Sequence, residues 1–147
     1  MVDFVPQPWP ELFALHLDEV NGATTEVQVW GRSYRFTAGS ILAGLVSQNR
    51  ELLSSPLRLA AVVEGHEEEW RYGPGETITH NGRRYIRRQN AVSTSLESTM
   101  RIQAEYDGML RFDWDVTAPA PVYLQHLGLE MTLDCEEAKL LYTYGTA

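Results

Sequence analysis

A chain of 147 residues with 44% hydrophobic content has the size of one globular domain and enough apolar material to fill a core without disulfide staples. Its formal net charge of −8 disfavours nucleic acid and anionic membranes as partners, and the single Cys135 excludes an internal disulfide or a multi-cysteine metal site. No apolar run reaches transmembrane length, and the first residues lack a charged region followed by an apolar core, so a soluble chain without a signal peptide is expected.

Residues 1–25 read as an extended lead-in segment ahead of a domain spanning 26–147. Pro6, Pro8 and Pro10 oppose a helix there, while Phe4, Trp9, Leu12, Phe13, Leu15 and Leu17 are too apolar for a free tail. These side chains are expected to lie on this domain or on a neighbour. Residues 21–25 read as a loop. Residues 26–37 then form the first hairpin. A two-residue Gly31-Arg32 loop, with Gly first as in a type II′ turn, would set Val29 against Tyr34 and Val27 against Phe36.

Residues 40–55 fit either a helix capped by Ser40 or two short strands around Asn49-Arg50-Glu51. Gly44 in the interior and strands on both sides favour the strands. Residues 57–63 are a β-leaning apolar run, residues 64–69 an acidic turn, and Gly73-Pro74-Gly75 a loop. Around Asn81-Gly82, a favoured type I′ pair, residues 77–88 fold into a hairpin with Ile78 facing Tyr85 and Thr77 facing Ile86. Residues 91–100 continue as strand.

The clearest pattern is at residues 100–116. Met100, Ile102 and Ala104 alternate with polar residues, as do Leu110, Phe112, Trp114 and Val116. A two-residue Asp107-Gly108 loop would place apolar residues opposite polar ones. A three-residue loop, Tyr106-Asp107-Gly108, pairs Ala104 with Leu110, Ile102 with Phe112, Met100 with Trp114 and Arg101 with Asp113. A one-residue slip would invert a whole strand, so the three-residue loop is the expected one, with Gly108 left-handed in a bulge. After Pro119-Ala120-Pro121 comes a strand over 122–133. Its apolar phase flips between Leu124 and Leu127, which implies a bulge near Gln125–His126. Residues 136–141 suit one helical turn, and Leu140, Leu141, Tyr142 and Tyr144 leave an apolar end. A succession of hairpins reads as an all-β antiparallel sandwich, of the ordinary or the larger supersandwich kind, with a closed barrel as the lesser alternative.

No reaction is announced. His66-Glu67-Glu68-Glu69 lacks the second histidine of a zinc-peptidase helix, and His16, His66, His80 and His126 are far apart, so neither a metal nor a cofactor is expected. Arg83, Arg84, Arg87 and Arg88 read as a solvated edge strand that resists pairing. Asp113 and Asp115 share a strand face at a spacing compatible with glycoside chemistry, but alternate acids are ordinary on a wet strand face, so no catalytic residue is assigned. Trp114 is in phase with the core. Trp30 and Trp70 are freer, and they are the candidates for stacking on carbohydrate.

Glu105-Tyr106-Asp107-Gly108-Met109-Leu110-Arg111-Phe112-Asp113 resembles the Tyr-Asp-Gly hairpin in the N-terminal β-sandwich domain of bacterial proteins related to glycoside hydrolase family 123. So do the proline break, Leu127-Gly128-Leu129-Glu130-Met131-Thr132-Leu133 and Glu137-Ala138-Lys139 beyond it. Upstream, Val29-Trp30-Gly31-Arg32-Ser33-Tyr34-Arg35-Phe36 and Glu51-Leu52-Leu53-Ser54-Ser55-Pro56-Leu57-Arg58-Leu59 are similar as well, so the likeness runs over residues 26–144. The resemblance implies catalysis in a downstream (β/α) barrel, hydrolysing β-N-acetylgalactosaminides with an Asp-Glu pair and the substrate's acetamido group. It therefore carries no catalytic residue onto this chain. The chain is expected to be an excised accessory domain whose partner is that barrel, with an apolar patch near its ends through which the fragment could self-associate. The alternative is a carbohydrate-binding or other interaction module acting on its own.

Overall fold

The computed structural model describes residues 4–19, 22–137 and 139. Thirteen strands occur among them: β1 Phe13–Glu19, β2 Gly22–Val29, β3 Arg32–Thr37, β4 Gly44–Ser47, β5 Arg50–Glu51, β6 Arg58–Val63, β7 His66–Glu67, β8 Arg71–Tyr72, β9 Glu76–His80, β10 Arg84–Val92, β11 Glu97–Glu105, β12 Leu110–Thr117 and β13 Leu124–Glu130. All pairings between them are antiparallel. One sheet runs β1-β2-β3-β4-β5, a second runs β12-β11-β10-β8 with β9 also on β10, and a third runs β13-β6-β7. The inner faces share one core built on Tyr34, Phe36, Leu42, Leu57, Tyr85, Met100 and Ile102, with Phe36 and Tyr85 stacked at 5.8 Å. A smaller cluster of Ala61, Val63 and Leu96 lies beside it, and Trp70 packs against both. The fold is thus an all-β, sandwich-like assembly of hairpins.

The hairpin of β11 and β12 has the expected register, with Ala104 opposite Leu110, Ile102 opposite Phe112, Met100 opposite Trp114 and Arg101 opposite Asp113. Glu105 N–H donates to the Met109 carbonyl at 2.9 Å across a three-residue loop, and Gly108 is left-handed at φ +88°. A side chain at Gly108 would be strained there, and its Cβ would also meet the Arg32 guanidinium at 3.1 Å. Trp114 is half-buried rather than fully packed, because β12 is an edge strand. It still lies against the core and donates from Nε1 to Ser98 Oγ at 2.6 Å. Two strands do occupy the ambiguous region, β4 and β5, though they turn at Gln48-Asn49 instead of Asn49-Arg50-Glu51. The pairing of β13 with β6 shifts between Leu124 and His126, at the expected bulge.

Other expectations need correction. The hairpin of β2 and β3 turns at Trp30-Gly31, so Val27 faces Tyr34, Thr25 faces Phe36 and Val29 faces Arg32. This register lies two residues from the expected one. A shift of two keeps every side chain on its own face, so alternation cannot tell the two apart. The same holds between β9 and β10. Asn81 pairs with Arg84 across Gly82-Arg83, its side chain accepts from the N–H groups of both arginines, and Ile86 faces Thr79. A bulge between Ile86 and Arg87 leaves Ile78 out of the ladder, exposed. The strand expected over 91–100 is broken by a turn at residues 93–96, where Ser93 N–H donates to the Leu96 carbonyl. The loop expected over 21–25 is strand from Gly22 onward, and the expected lead-in supplies β1, paired with β2 from Phe13 to Glu19.

The arginine run is not on an edge. β10 lies between β11 on one side and β8 with β9 on the other, and Arg87 is only 4% exposed. Its guanidinium donates to Gln89 Oε1 and the Thr37 carbonyl and lies over the Phe36 ring, with no carboxylate partner among the described residues. Gly75 makes the space, since a Cβ there would collide with the guanidinium. The expected Leu140–Tyr144 patch and half of the helical turn over 136–141 fall outside the described residues.

Candidate functional site

Short turns place several hairpin tips at one end of the sandwich, where they are tied to one another. Gln48 N–H donates to the Gly31 carbonyl at 2.9 Å, joining the β4–β5 turn to the β2–β3 turn. Tyr34 OH and Arg32 Nη1 donate to the Gly108 carbonyl at 2.6 and 3.2 Å, joining the β11–β12 turn to β3. Burial pushes the Tyr34 phenol above its ordinary range, opposed by hydrogen bonding and charge from Arg32. Tyr106 N–H donates to the Arg83 carbonyl, which brings in the β9–β10 turn. Trp9, from the segment before β1, stands edge-on to Trp30 at 4.9 Å and to Tyr106 at 6.1 Å. Between these tips is a cleft of about 420 Å³ lined by Trp9, Trp30, Arg32, Ser47, Gln48 and Asp107. A second groove of about 370 Å³ shares Gly31, Arg32 and Gln48 with it and adds Gln28, Ser33 and Asn49.

The two tryptophans singled out for carbohydrate do not share a cleft. Trp30 is 58% exposed at the hairpin tips. Trp70 is half-buried between the two apolar clusters, its indole N–H enclosed without a partner among the described residues, at the edge of a cleft of about 560 Å³ with Arg58, Glu67, Glu68, Glu69 and Tyr72. Hydrogen bonding from Ser95 holds the Glu68 carboxyl below its ordinary range. Sequence pattern missed Trp9 as the neighbour of Trp30, because no local periodicity links residue 9 to residue 30. The turn signals Trp30-Gly31, Asn81-Gly82 and Asp107-Gly108 mark tips, but not their convergence.

Asp113 is held on the open face of β12 by Arg111 at 2.8 Å and by Arg101 at 3.6 Å, and Asp115 is exposed further along the same strand. The fold brings His16 and His80 to a ring separation of 6.3 Å, with His16 Nδ1 bonded to Thr25 Oγ1. Among the described residues no group of three or more His, Cys, Asp or Glu side chains could hold a metal ion, and no helix is long and apolar enough to cross a membrane.

An antiparallel sandwich with a cleft at its hairpin tips is a common class of small β-domain. Residues 26–147 match the family described as glycoside hydrolase 123, third domain, and the chain belongs to that family. The description counts the domain third, where the resemblance read from the sequence implied an N-terminal one. No curated protein matches the chain.

Proposed function

We propose that this chain is a non-catalytic sandwich domain of a glycoside hydrolase 123-type polypeptide, and that it packs against and supports the catalytic (β/α) barrel of the same polypeptide. The observation that carries this reading is β1, an edge strand whose Phe13, Leu15 and Leu17 are 56%, 41% and 38% exposed in one alternating stripe. Contiguous exposed apolar surface marks a partner more often than a free face. Family membership supports the same reading, since a third domain has other domains as neighbours. The carboxylate weighed for glycoside chemistry, Asp113, is engaged by Arg111 and Arg101 on the open face of an edge strand.

The test compares the 147-residue chain with a longer polypeptide carrying the neighbouring domains, using an aryl β-N-acetylgalactosaminide as substrate. The expected result is turnover by the longer protein alone. Phe13→Ser with Leu15→Ser should lower the melting temperature of the longer protein while leaving that of the short chain in place. Turnover by the short chain that Asp113→Asn abolishes would overturn the supporting role. Dimerisation of the short chain that the same double substitution removes would identify β1 as the adhesive face.

A further inference from the structure

We propose that the cleft at the hairpin tips binds a neutral oligosaccharide, with the exposed face of Trp30 as the stacking platform and Arg32, Gln48 and Asp107 as the hydrogen-bonding rim. This property is separate from support of a neighbouring domain. A sugar ring presents an apolar C–H face and an edge of adjacent hydroxyls. An exposed indole set among planar, bidentate polar groups is complementary to both. Trp9 meets Trp30 edge-on, with interplanar angle 84°, which fixes the platform and leaves most of it open.

The rim is built rather than incidental. Arg32 is anchored through Nη1 on the Gly108 carbonyl, and the Asp107 carboxylate is oriented by accepting from Met109 N–H at 3.0 Å. Gln48 and Asn49 are both left-handed, at φ 48° and 64°. Glycine would hold this turn with less strain than glutamine, yet the sequence keeps a long amide side chain that lines the cleft. One cation and one anion, Arg32 and Asp107, face the same cleft and offset each other, so a neutral ligand suits it better than a charged one. The adjoining groove continues the polar lining through Gln28, Ser33 and Asn49, and its one carboxylate, Glu26, accepts from the Gln28 amide at 3.0 Å. The Trp70 cleft is less suited, because its indole is wedged between the two apolar clusters and three consecutive glutamates line the opening.

The test is isothermal titration of the 147-residue chain with neutral tetrasaccharides of glucose, galactose, xylose, N-acetylglucosamine and N-acetylgalactosamine. At least one is expected to bind saturably below millimolar concentration. Trp30→Ala should weaken that binding by about tenfold, the scale of one lost stacking contact, with the melting temperature unchanged. Trp70→Phe should leave affinity within about twofold. Gln48→Gly is the diagnostic variant, because it relieves backbone strain. It should melt at the same temperature or higher while binding more weakly. Failure of every tetrasaccharide to saturate the wild-type chain at millimolar concentration overturns the proposal. So does Trp30→Ala binding as wild type, or loss of binding on Trp70→Phe instead. None of these outcomes bears on turnover of the aryl glycoside, so the supporting role stands or falls separately.

Discussion

β11 and β1 are both alternating strands, and they use alternation in opposite ways. On β11, Met100, Ile102 and Ala104 are essentially inaccessible to solvent. On β1, Phe13, Leu15 and Leu17 point outward, and the smaller Ala14 points in. The exposed stripe is the more apolar of the two in composition, so hydrophobicity by itself does not predict burial. What differs is what lies opposite. β11 faces the other sheet across the core, whereas the outer face of β1 has no described layer over it. An apolar stripe on a strand therefore defines a face that wants a cover, and the fold decides whether the cover comes from the same domain.

Substitutions on the two faces should separate by several kcal/mol in denaturant melts, and the largest loss belongs inside. Phe36, fully buried and stacked on Tyr85, should cost about 3–5 kcal/mol when changed to Ala. A loss near 1 kcal/mol would mean that the core between the sheets is loosely packed. Trp114→Ala should cost less, about 2–3 kcal/mol, because an edge strand leaves the indole half open. Its equality with Phe36→Ala would show that β12 is covered in solution.

Tyr34→Phe removes the hydrogen bond to the Gly108 carbonyl, which Arg32 still satisfies, so about 1 kcal/mol is expected. The same variant has a signature in pH. Burial holds the Tyr34 phenol above its unfolded value near 10, so the unfolded chain ionises first and stability falls as pH rises beyond about 10. Tyr34→Phe should flatten that alkaline limb in part. Tyr72, raised by burial as well, contributes to the same limb. An unchanged limb would show that Tyr34 ionises as freely in the fold as outside it.

A double-mutant cycle on Arg101 and Asp113 should return about 0.2–1 kcal/mol, as for an exposed cross-strand pair whose acid Arg111 also holds. The smallest effect belongs to the outer stripe. Phe13→Ser should change the stability of the isolated chain by no more than about 0.5 kcal/mol. A loss comparable to that of Phe36→Ala would erase the contrast between the two strands and remove the case for a docking face.

Sequence by itself determined the buried face of β2, β3, β11 and β12 and, at one hairpin, the register. Around Asp107-Gly108 the two competing loops differ by one residue, which inverts a strand, so the apolar pattern chooses between them. Around Gly31, and beside the turn at Gly82, the competing registers differ by two, which inverts nothing, and the pattern is silent. The bulge at Gln125 was legible for the same reason as the first hairpin, since a change of phase within a strand requires an extra residue. Tertiary structure alone decided the rest. It made β10 central, which buried Arg87 against Phe36 and gave Gly75 its purpose. It brought Trp9, Trp30 and Asp107, far apart in the chain, to one cleft, and it put Trp70 elsewhere. The physical reason is that a period of two residues encodes only which side of a sheet a side chain takes. Which strand lies beside it, and what covers the sheet, depend on long-range pairings that leave no local periodicity.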